Sequence, residues 1–157
     1  MKLYRIASSR HPVWSGMGAA IMGGRWNKPG QTVIYTALSY AGAMLEILVH
    51  TNNGKVPPSH RCVIAQVPKD IKVTRYSAEE LPEGWDRQES SVAQGIGDQW
   101  FSEGKTAILI VPSVVARLEF NALVNPAHKD ASRLIVSEEK AVLWDTRLFP
   151  KRGSVDV

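Results

Sequence analysis

The alternation of polar and apolar residues predicts a chain of mostly short strands with two helices. Residues 2–6 and 32–36 alternate with the period of two that is typical of half-buried strands. Residues 106–112 form a continuous apolar run, which is typical of a strand buried on both faces. Weaker strand candidates lie at residues 61–68, 71–76, 117–124, 133–137 and 141–145. The pattern therefore predicts an α+β fold.

Two segments have helical signals. Ser39 is a good N-cap for a helix that runs to about residue 52, where Asn, Asn and Gly at 52–54 form a stop signal. A second helix is predicted from about residue 90 to 103 and ends before Gly104. Residues 7–24 contain Pro12 and several glycines without a clean period, so we predict a long loop that acts as a lid over a ligand. The segment 77–88 is acidic and is predicted to be a loop.

Length and composition fit one globular domain over residues 1–157, with 44% apolar residues and no internal repeat. The lone Cys62 excludes an internal disulfide, and scattered histidines argue against a metal site. The sequence has no secretion signal and no apolar run long enough to span a membrane. We expect a cytoplasmic protein without a membrane partner.

Positive charge is concentrated in the first half of the chain. Residues 1–75 carry ten Lys and Arg and two acidic residues, while acidic residues cluster between positions 79 and 103. Such asymmetry favours an anionic ligand for the first half, with phosphates the commonest kind. A solvated basic surface is the alternative. A nucleic-acid-binding module is also compatible with the pI of about 9.3, although no zinc-finger or RRM motif is present.

The strongest single candidate is Glu46, the only acidic residue before Asp70. It interrupts the apolar run of residues 44–49 on the first predicted helix, and burying a carboxylate is costly unless it is paired or hydrogen-bonded. We hypothesise that it belongs to an enzyme site near Arg and Tyr side chains. The alternatives are a structural ion pair or a solvated end of the helix. Gly42, one turn earlier, would leave room for a ligand or for a close contact between helix and strand.

Two further candidates precede Glu46. Arg25 follows a pair of glycines and offers a planar fork for phosphate oxygens, or is an ordinary surface arginine. Tyr35 ends a strand just before the helix, where its ring would stack on a planar ligand or simply pack in the core. Arg5 shares a strand face with Leu3 and lies either in a cleft or on the surface.

Ser113 follows the buried strand, where hydroxyl groups often reach a site. It lacks the Gly-x-Ser-x-Gly turn of many hydrolases, and the sequence gives no spacing that would bring His50, His60 or His128 to it. A serine hydrolase is therefore a third, weaker interpretation.

Seven short motifs in order resemble the RES domain, the toxin half of RES-Xre toxin–antitoxin pairs. Arg25, Glu46 and Ser113 match the Arg, Glu and Ser for which that family is named. The full set is Tyr4-Arg5, Gly24-Arg25-Trp26-Asn27, Tyr35, Glu46 with His50, Val111-Pro112-Ser113, Asn125-Pro126-x-His128 and Trp144-Asp145-x-Arg147-Leu148.

This resemblance implies a compact α+β domain with a split β-sheet around an NAD⁺-binding cleft, similar to ADP-ribosyltransferase toxins. It implies a toxin that cleaves the nicotinamide–ribose bond of NAD⁺ by hydrolysis or phosphorolysis, or an ADP-ribosyltransferase that modifies a cellular protein. NAD⁺ is then a substrate, and no cofactor or metal is expected. The catalytic residues would be Glu46, Arg25 and Tyr35. The NAD⁺-binding residues would be Tyr4, Arg5, Arg25, Tyr35, Ser113 and Asn125.

The resemblance assigns a role to each of these residues except Tyr4, which is expected only to bind NAD⁺. Glu46 would stabilise the ribose cation, and Arg25, helped by Arg5, would hold the pyrophosphate. Tyr35 would stack on nicotinamide, while Ser113 and Asn125 would bond ribose or amide groups. The expected partner is a small Xre-type antitoxin with a helix-turn-helix domain, through which any DNA contact would occur. Assembly into a homo-oligomer is left open.

Overall fold

The computed structural model describes residues 1–51, 55–89 and 91–149. It contains three α-helices and eight strands, together with 3₁₀ turns at Lys129–Arg133 and Thr146–Leu148. In chain order these are β1 (Lys2–Ser8), α1 (Met17–Met22), β2 (Ile34–Ala37), α2 (Tyr40–His50), β3 (His60–Gln66), β4 (Val73–Arg75), α3 (Ser91–Glu103), β5 (Ile108–Pro112), β6 (Phe120–Val124), β7 (Ile135–Val136) and β8 (Lys140–Ala141).

All eight strands belong to one sheet in the order β4-β5-β6-β2-β1-β3-β7, with β8 also paired to β3. Only β4 and β5 are parallel, and the other pairs are antiparallel. The pairing of β1 with β2 is reduced to one position, Tyr4 opposite Ala37, whereas β1 and β3 pair along seven residues. The sheet therefore opens between β1 and β2, and the predicted α+β class and split sheet are confirmed.

One face of the sheet is covered by two helices. Helix α2 packs over β1 and β2, where Ala43 belongs to a cluster with Ile6, Ala37 and Cys62. Helix α3 packs over β5 and β6 through a larger cluster, which contains Trp26, Val33, Leu81, Trp85, Ala93, Trp100, Leu109, Val111 and Leu123. Because side chains alternate along a strand, the residues between the two helices on this face come from β2 and β6. This gap is the part of the sheet that the helices leave open.

The opposite face carries the main apolar core. Leu3, Ile34, Ile108, Ile110 and Val124 are 2% exposed or less. The predicted continuous run at residues 106–112 is confirmed, since every residue of β5 is buried. Burial of this face fixes the register of β2, β5 and β6, because a slip of one residue would turn these apolar side chains outward.

Both long helices were predicted, and the N-cap was correct. Ser39 accepts a hydrogen bond from the backbone N–H of Gly42 at 2.9 Å. The prediction of an unbroken loop over residues 7–24 was wrong, because it contains α1. No residue of α1 is buried, and hydrogen bonds from the segment that follows it hold it: its Ala19 and Ala20 carbonyls accept from Asn27 Nδ2 and from the Gly30 N–H. The predicted stop at 52–54 and the predicted helix start at 90 lie outside the described residues.

In the described ranges, no helix is long and apolar enough to cross a membrane. The same ranges contain no group of three or more His, Cys, Asp and Glu side chains that could hold a metal ion.

Candidate active site

The carboxylate of Glu46 is held by two side chains that come from distant parts of the chain. Its Oε1 accepts a hydrogen bond from Asn121 Nδ2 at 2.7 Å and from Ser113 Oγ at 3.3 Å. Its Oε2 accepts no hydrogen bond from the described residues. Glu46 is half-buried on α2, at the gap between the two helices. One of the two carboxylate oxygens is thus fixed by the protein.

The loop that follows β5 orients Ser113. The hydroxyl of Ser113 accepts a hydrogen bond from the N–H of Ala116 at 3.0 Å, so its own hydrogen points to Glu46. The Ser113 N–H donates to the carbonyl of Glu119 at 2.9 Å, which closes the loop onto the start of β6. Ser113 is 3% exposed, so its position is well determined by packing.

A second carboxylate ties this loop to α2. The side chain of Glu119 accepts a hydrogen bond from Ser39 Oγ, the N-cap of α2. A Cβ on Gly42 would lie 3.0 Å from Glu119 Oε2, so Gly42 makes room for this contact. Of the two uses expected for Gly42, the structure thus shows the close contact between the helix and a neighbouring element.

Tyr35 shares the open face with Asn121. Ala37 is the register partner of Asn121, and Tyr35 precedes Ala37 by two residues, so both side chains point to the same side of the sheet. Diagonal neighbours of this kind are roughly 7 Å apart. The hydroxyl of Tyr35 donates to Asn27 Oδ1 at 2.8 Å and accepts from the N–H of Trp26 at 3.0 Å. Tyr35 therefore fixes the Gly24–Asn27 turn above the sheet.

The Tyr35 side chain lies so close to the backbone of Gly24 in that turn that only glycine fits there. A Cβ on Gly24 would lie 2.5 Å from the Tyr35 hydroxyl oxygen. Asn27 is 1% exposed, and its Nδ2 donates to the carbonyls of Ala19 and Lys28 at 2.9 and 3.0 Å. The sequence Gly24-Arg25-Trp26-Asn27 is thus a rigid turn that presents Arg25 at its tip.

Arg25 is anchored on the loop before α3. Its Nη1 donates to the backbone carbonyls of Trp85, at 3.2 Å, and Arg87. Its Nε and Nη2 have no acceptor within the described part of the chain. A surface depression of about 570 Å³ lies beside it, lined also by Gly23, Gly24 and Gln94. Among the described residues, Arg25 makes no hydrogen bond or ion pair with Glu46. The side chains that do bond Glu46 are Ser113 and Asn121, and not the Arg and Tyr side chains that we expected.

Arg5 lies at the split in the sheet. Its three nitrogens donate to backbone carbonyls: Nε to Val13 at 2.5 Å, Nη1 to Tyr35 at 2.8 Å and Nη2 to Ser15 at 3.1 Å. Burial lowers the pKa of its guanidinium. Arg5 thus bridges the split by tying the loop of residues 13–15 to β2. We assign it this structural contact, and its expected contact with the pyrophosphate stays a prediction.

Tyr4 and Asn125 make no hydrogen bond with the Glu46 cluster in the described part of the chain, although the register places Tyr4 in the same cross-strand row as Asn121, with Ala37 of β2 between them. Tyr4 packs beneath α2, where its ring makes an edge contact with Tyr40 at 6.3 Å between centroids. Asn125 follows the last residue of β6, four residues after Asn121, and its Oδ1 accepts from the N–H of Ala127 at 3.0 Å. Four residues of strand span roughly 13 Å. The structure therefore does not bring Asn125 to Glu46.

The sequence interpretation missed Asn121 and Glu119. The available signal was the alternation along β6, in which Asn121 takes a position on the side of the sheet that carries Leu123. The serine-hydrolase interpretation has no geometric basis, because Ser113 donates to a carboxylate and no described histidine contacts it. His50 instead bonds the Glu46 carbonyl through Nδ1 at 2.6 Å.

Replacing Tyr35 with Phe should destabilise the protein by about 1–3 kcal/mol, because Trp26 N–H and Asn27 Oδ1 would lose their partner. Urea unfolding at neutral pH measures this change. Tyr40→Phe is the matched control, since the Tyr40 hydroxyl makes no hydrogen bond with a described residue, and its effect should stay within about 0.5 kcal/mol. Equal midpoints for the two variants would show that the Tyr35 hydroxyl contributes nothing.

The difference in stability between the wild type and Tyr35→Phe should depend on pH. Burial raises the pKa of Tyr35 to about 12, opposed in part by the backbone N–H of Trp26 and by Arg25. The unfolded chain releases this proton first, from about pH 10 upward, so the contribution of Tyr35 is complete below that pH and is lost by about pH 12. Between these values the wild type should lose stability faster than Tyr35→Phe, by up to about 1.4 kcal/mol per pH unit. Parallel curves would contradict this.

Known proteins match this chain over most of its length. A family model described as the RES domain matches residues 2–145. The chain belongs to the RES domain family. Among its relatives, a protein of Sphingobium sp. (strain YBL2) named Prs ADP-ribosylating toxin is 40% identical over 140 residues, which cover 87% of each chain. The predicted family is thereby confirmed.

Further relatives and one solved structure agree with this assignment. A RES relative from Yersinia enterocolitica, named Toxin Res, is 32% identical over 152 residues, covering 94% of this chain and 99% of that one. Another Toxin Res, from Photorhabdus laumondii, is 32% identical over 138 residues, covering 86% and 88%. The fold is similar to that in the crystal structure of the M. tuberculosis MbcT-MbcA toxin–antitoxin complex, with a TM-score of 0.75 and 20% identity over 94% of this chain and 86% of that chain.

Proposed function

We propose that this RES domain is an NAD⁺-consuming toxin that cleaves the bond between nicotinamide and ribose. The observation that carries the proposal is the Glu46 carboxylate, whose Oε1 is fixed by Asn121 and Ser113 while Oε2 accepts no hydrogen bond from the described residues. Cleavage breaks the C1′–N bond, its electron pair leaves with neutral nicotinamide, and positive charge develops on the ribose. A carboxylate held in place before the reaction stabilises that charge.

The surrounding residues supply the other contacts that NAD⁺ requires. Arg25 has two nitrogens without an acceptor in the described residues and stands beside a depression of about 570 Å³, so it is the candidate for the pyrophosphate. Tyr35 lies on the same face as Asn121 and offers part of its ring to nicotinamide. Ser113 gives its single hydrogen to Glu46, so it would bind a ribose hydroxyl only as an acceptor. In this proposal a bound NAD⁺ reaches from the depression beside Arg25 to the Tyr35 ring and the Glu46 carboxylate.

The names of relatives support a toxin rather than a metabolic enzyme. Three relatives are named Toxin Res, and the structural neighbour is a toxin in complex with its antitoxin. We therefore propose an antitoxin partner for this chain, of the small Xre helix-turn-helix type, with DNA contact through that partner, and a cytoplasmic site of action. No described contact favours the alternative of a nucleic-acid-binding module.

Transfer of ADP-ribose to a protein is the second candidate. It is favoured by one observation, the 40% identity to a protein named as an ADP-ribosylating toxin. Both candidates share the same first step, and they differ in the nucleophile that attacks C1′. Water or phosphate attacks in the first candidate, and a protein side chain attacks in the second.

One experiment tests the first step and separates the acceptors. The purified chain is incubated with NAD⁺ labelled in the adenine, in phosphate-free buffer, in buffer with phosphate, and with a cell extract. Nicotinamide release is followed in all three. Label in free ADP-ribose, in a phosphorylated ADP-ribose or in protein identifies water, phosphate or a side chain as acceptor. Unchanged NAD⁺ in all three reactions would refute the proposal.

A further inference from the structure

We infer that Asn121 is a positioning residue that decides which oxygen of Glu46 faces the substrate. This inference rests on the proposed function of Glu46. Asn121 is the second residue of β6 and lies between two paired strands, opposite Ala37 of β2 and Val111 of β5. Its backbone is therefore fixed by a paired strand on each side.

The hydrogen-bond roles in the cluster are determined by chemistry. An ionised carboxylate only accepts, so the contact of 2.7 Å to Asn121 requires the amide nitrogen to face Glu46. The Ser113 hydroxyl already accepts from Ala116 N–H and can give its single hydrogen only to Glu46. Both donors therefore point to Oε1. The contact of Ser113, at 3.3 Å, is longer and weaker than that of Asn121.

Glu46 needs such a restraint. It reaches the gap from α2 through three rotatable bonds, and Ser113 alone would hold Oε1 at the edge of hydrogen-bond distance. Without Asn121 the carboxylate would sample orientations in which neither oxygen meets the developing ribose charge. Misplacement of a catalytic group by about 1 Å costs on the order of 100-fold in rate. Binding of the pyrophosphate at Arg25 does not depend on this contact, so the loss should fall on kcat.

The test is the variant Asn121→Asp, which keeps the side-chain shape but removes the donor and opposes a carboxylate to Glu46. Its kcat for nicotinamide release should fall on the order of 100-fold. Its KM for NAD⁺ should stay within about threefold, since the groups proposed to bind NAD⁺ elsewhere in the cleft are unchanged.

Gln99→Glu is the matched control: the Gln99 amide donates to the Glu103 carboxylate at 2.9 Å on the exposed side of α3, and this variant should retain wild-type kcat. Asn121→Ala, which removes the donor without adding charge, provides the same test if the Asp variant does not fold.

A double-mutant cycle distinguishes positioning from a general structural effect. If Asn121 acts through Glu46, adding Asn121→Ala to Glu46→Gln should lower the residual kcat by less than about threefold. A loss that multiplies in full, a kcat of Asn121→Ala near that of wild type, or an effect confined to KM would each overturn the inference. Absence of nicotinamide release by the wild type would instead overturn the proposed function, and the inference with it.

Discussion

Glu46→Gln is expected to lower nicotinamide release by about 100-fold or more while leaving the fold intact. The substituted amide keeps an oxygen that accepts from Asn121 and Ser113, so the hydrogen bonds within the protein can persist. What is lost is the negative charge opposite the ribose, which matters most when that ribose becomes cationic. The decrease should therefore appear in kcat and in kcat/KM alike, since the interaction is made in the transition state.

The measurement is steady-state release of nicotinamide, with thermal unfolding of each protein as a check on folding. Glu103→Gln is a suitable control, because Glu103 is an exposed carboxylate at the end of α3 that pairs with Lys105 and Gln99. It removes the same charge far from the gap and should leave the rate unchanged. If Glu46→Gln releases nicotinamide within about threefold of the wild-type rate, the enzymatic activity stands but Glu46 does not have the proposed catalytic role.

The second large effect concerns Gly97→Ala, which should destabilise the protein by roughly 3 kcal/mol or more. A Cβ at this position would lie 1.6 Å from the carbonyl oxygen of Trp26, a distance that no backbone tolerates. Trp26 cannot move away easily, since its N–H is bound by the Tyr35 hydroxyl and its indole stacks on Trp85 at 6.2 Å between ring centroids. The variant must separate α3 from the turn that carries Arg25.

The same helix offers the matched control. Gly95 lies two residues earlier, is exposed, and has no atom within 4 Å of an added Cβ. Gly95→Ala should therefore stabilise the protein by about 0.5–1 kcal/mol, the usual gain of alanine over glycine inside a helix. The midpoints of urea unfolding of both variants and of the wild type measure these two changes in stability. A Gly97→Ala protein as stable as wild type would show that α3 does not pack on Trp26 in solution.

Local signals predicted the elements correctly where they were strong. Ser39 as N-cap and the apolar run of β5 depend on neighbouring residues alone, and both were found where predicted. Helix α1 was missed because its two turns have no buried residue and are held by bonds from Asn27 and Gly30. Two predicted strands shrank to the two-residue β7 and β8, since their length depends on what β3 offers for pairing.

For the candidate site, too, some features could be predicted from the sequence and others required the tertiary structure. Residue type and order along the chain identified Glu46, Arg25, Tyr35 and Ser113 and the RES family, because those features are properties of the sequence. Only the tertiary structure showed that Asn121 holds Glu46 and that Arg5 is bound to backbone carbonyls. These contacts join residues 75 and 30 positions apart, and their geometry is set by strand register and by the split between β1 and β2. A sequence shows which side chains are present, whereas the pairing of strands decides which of them meet.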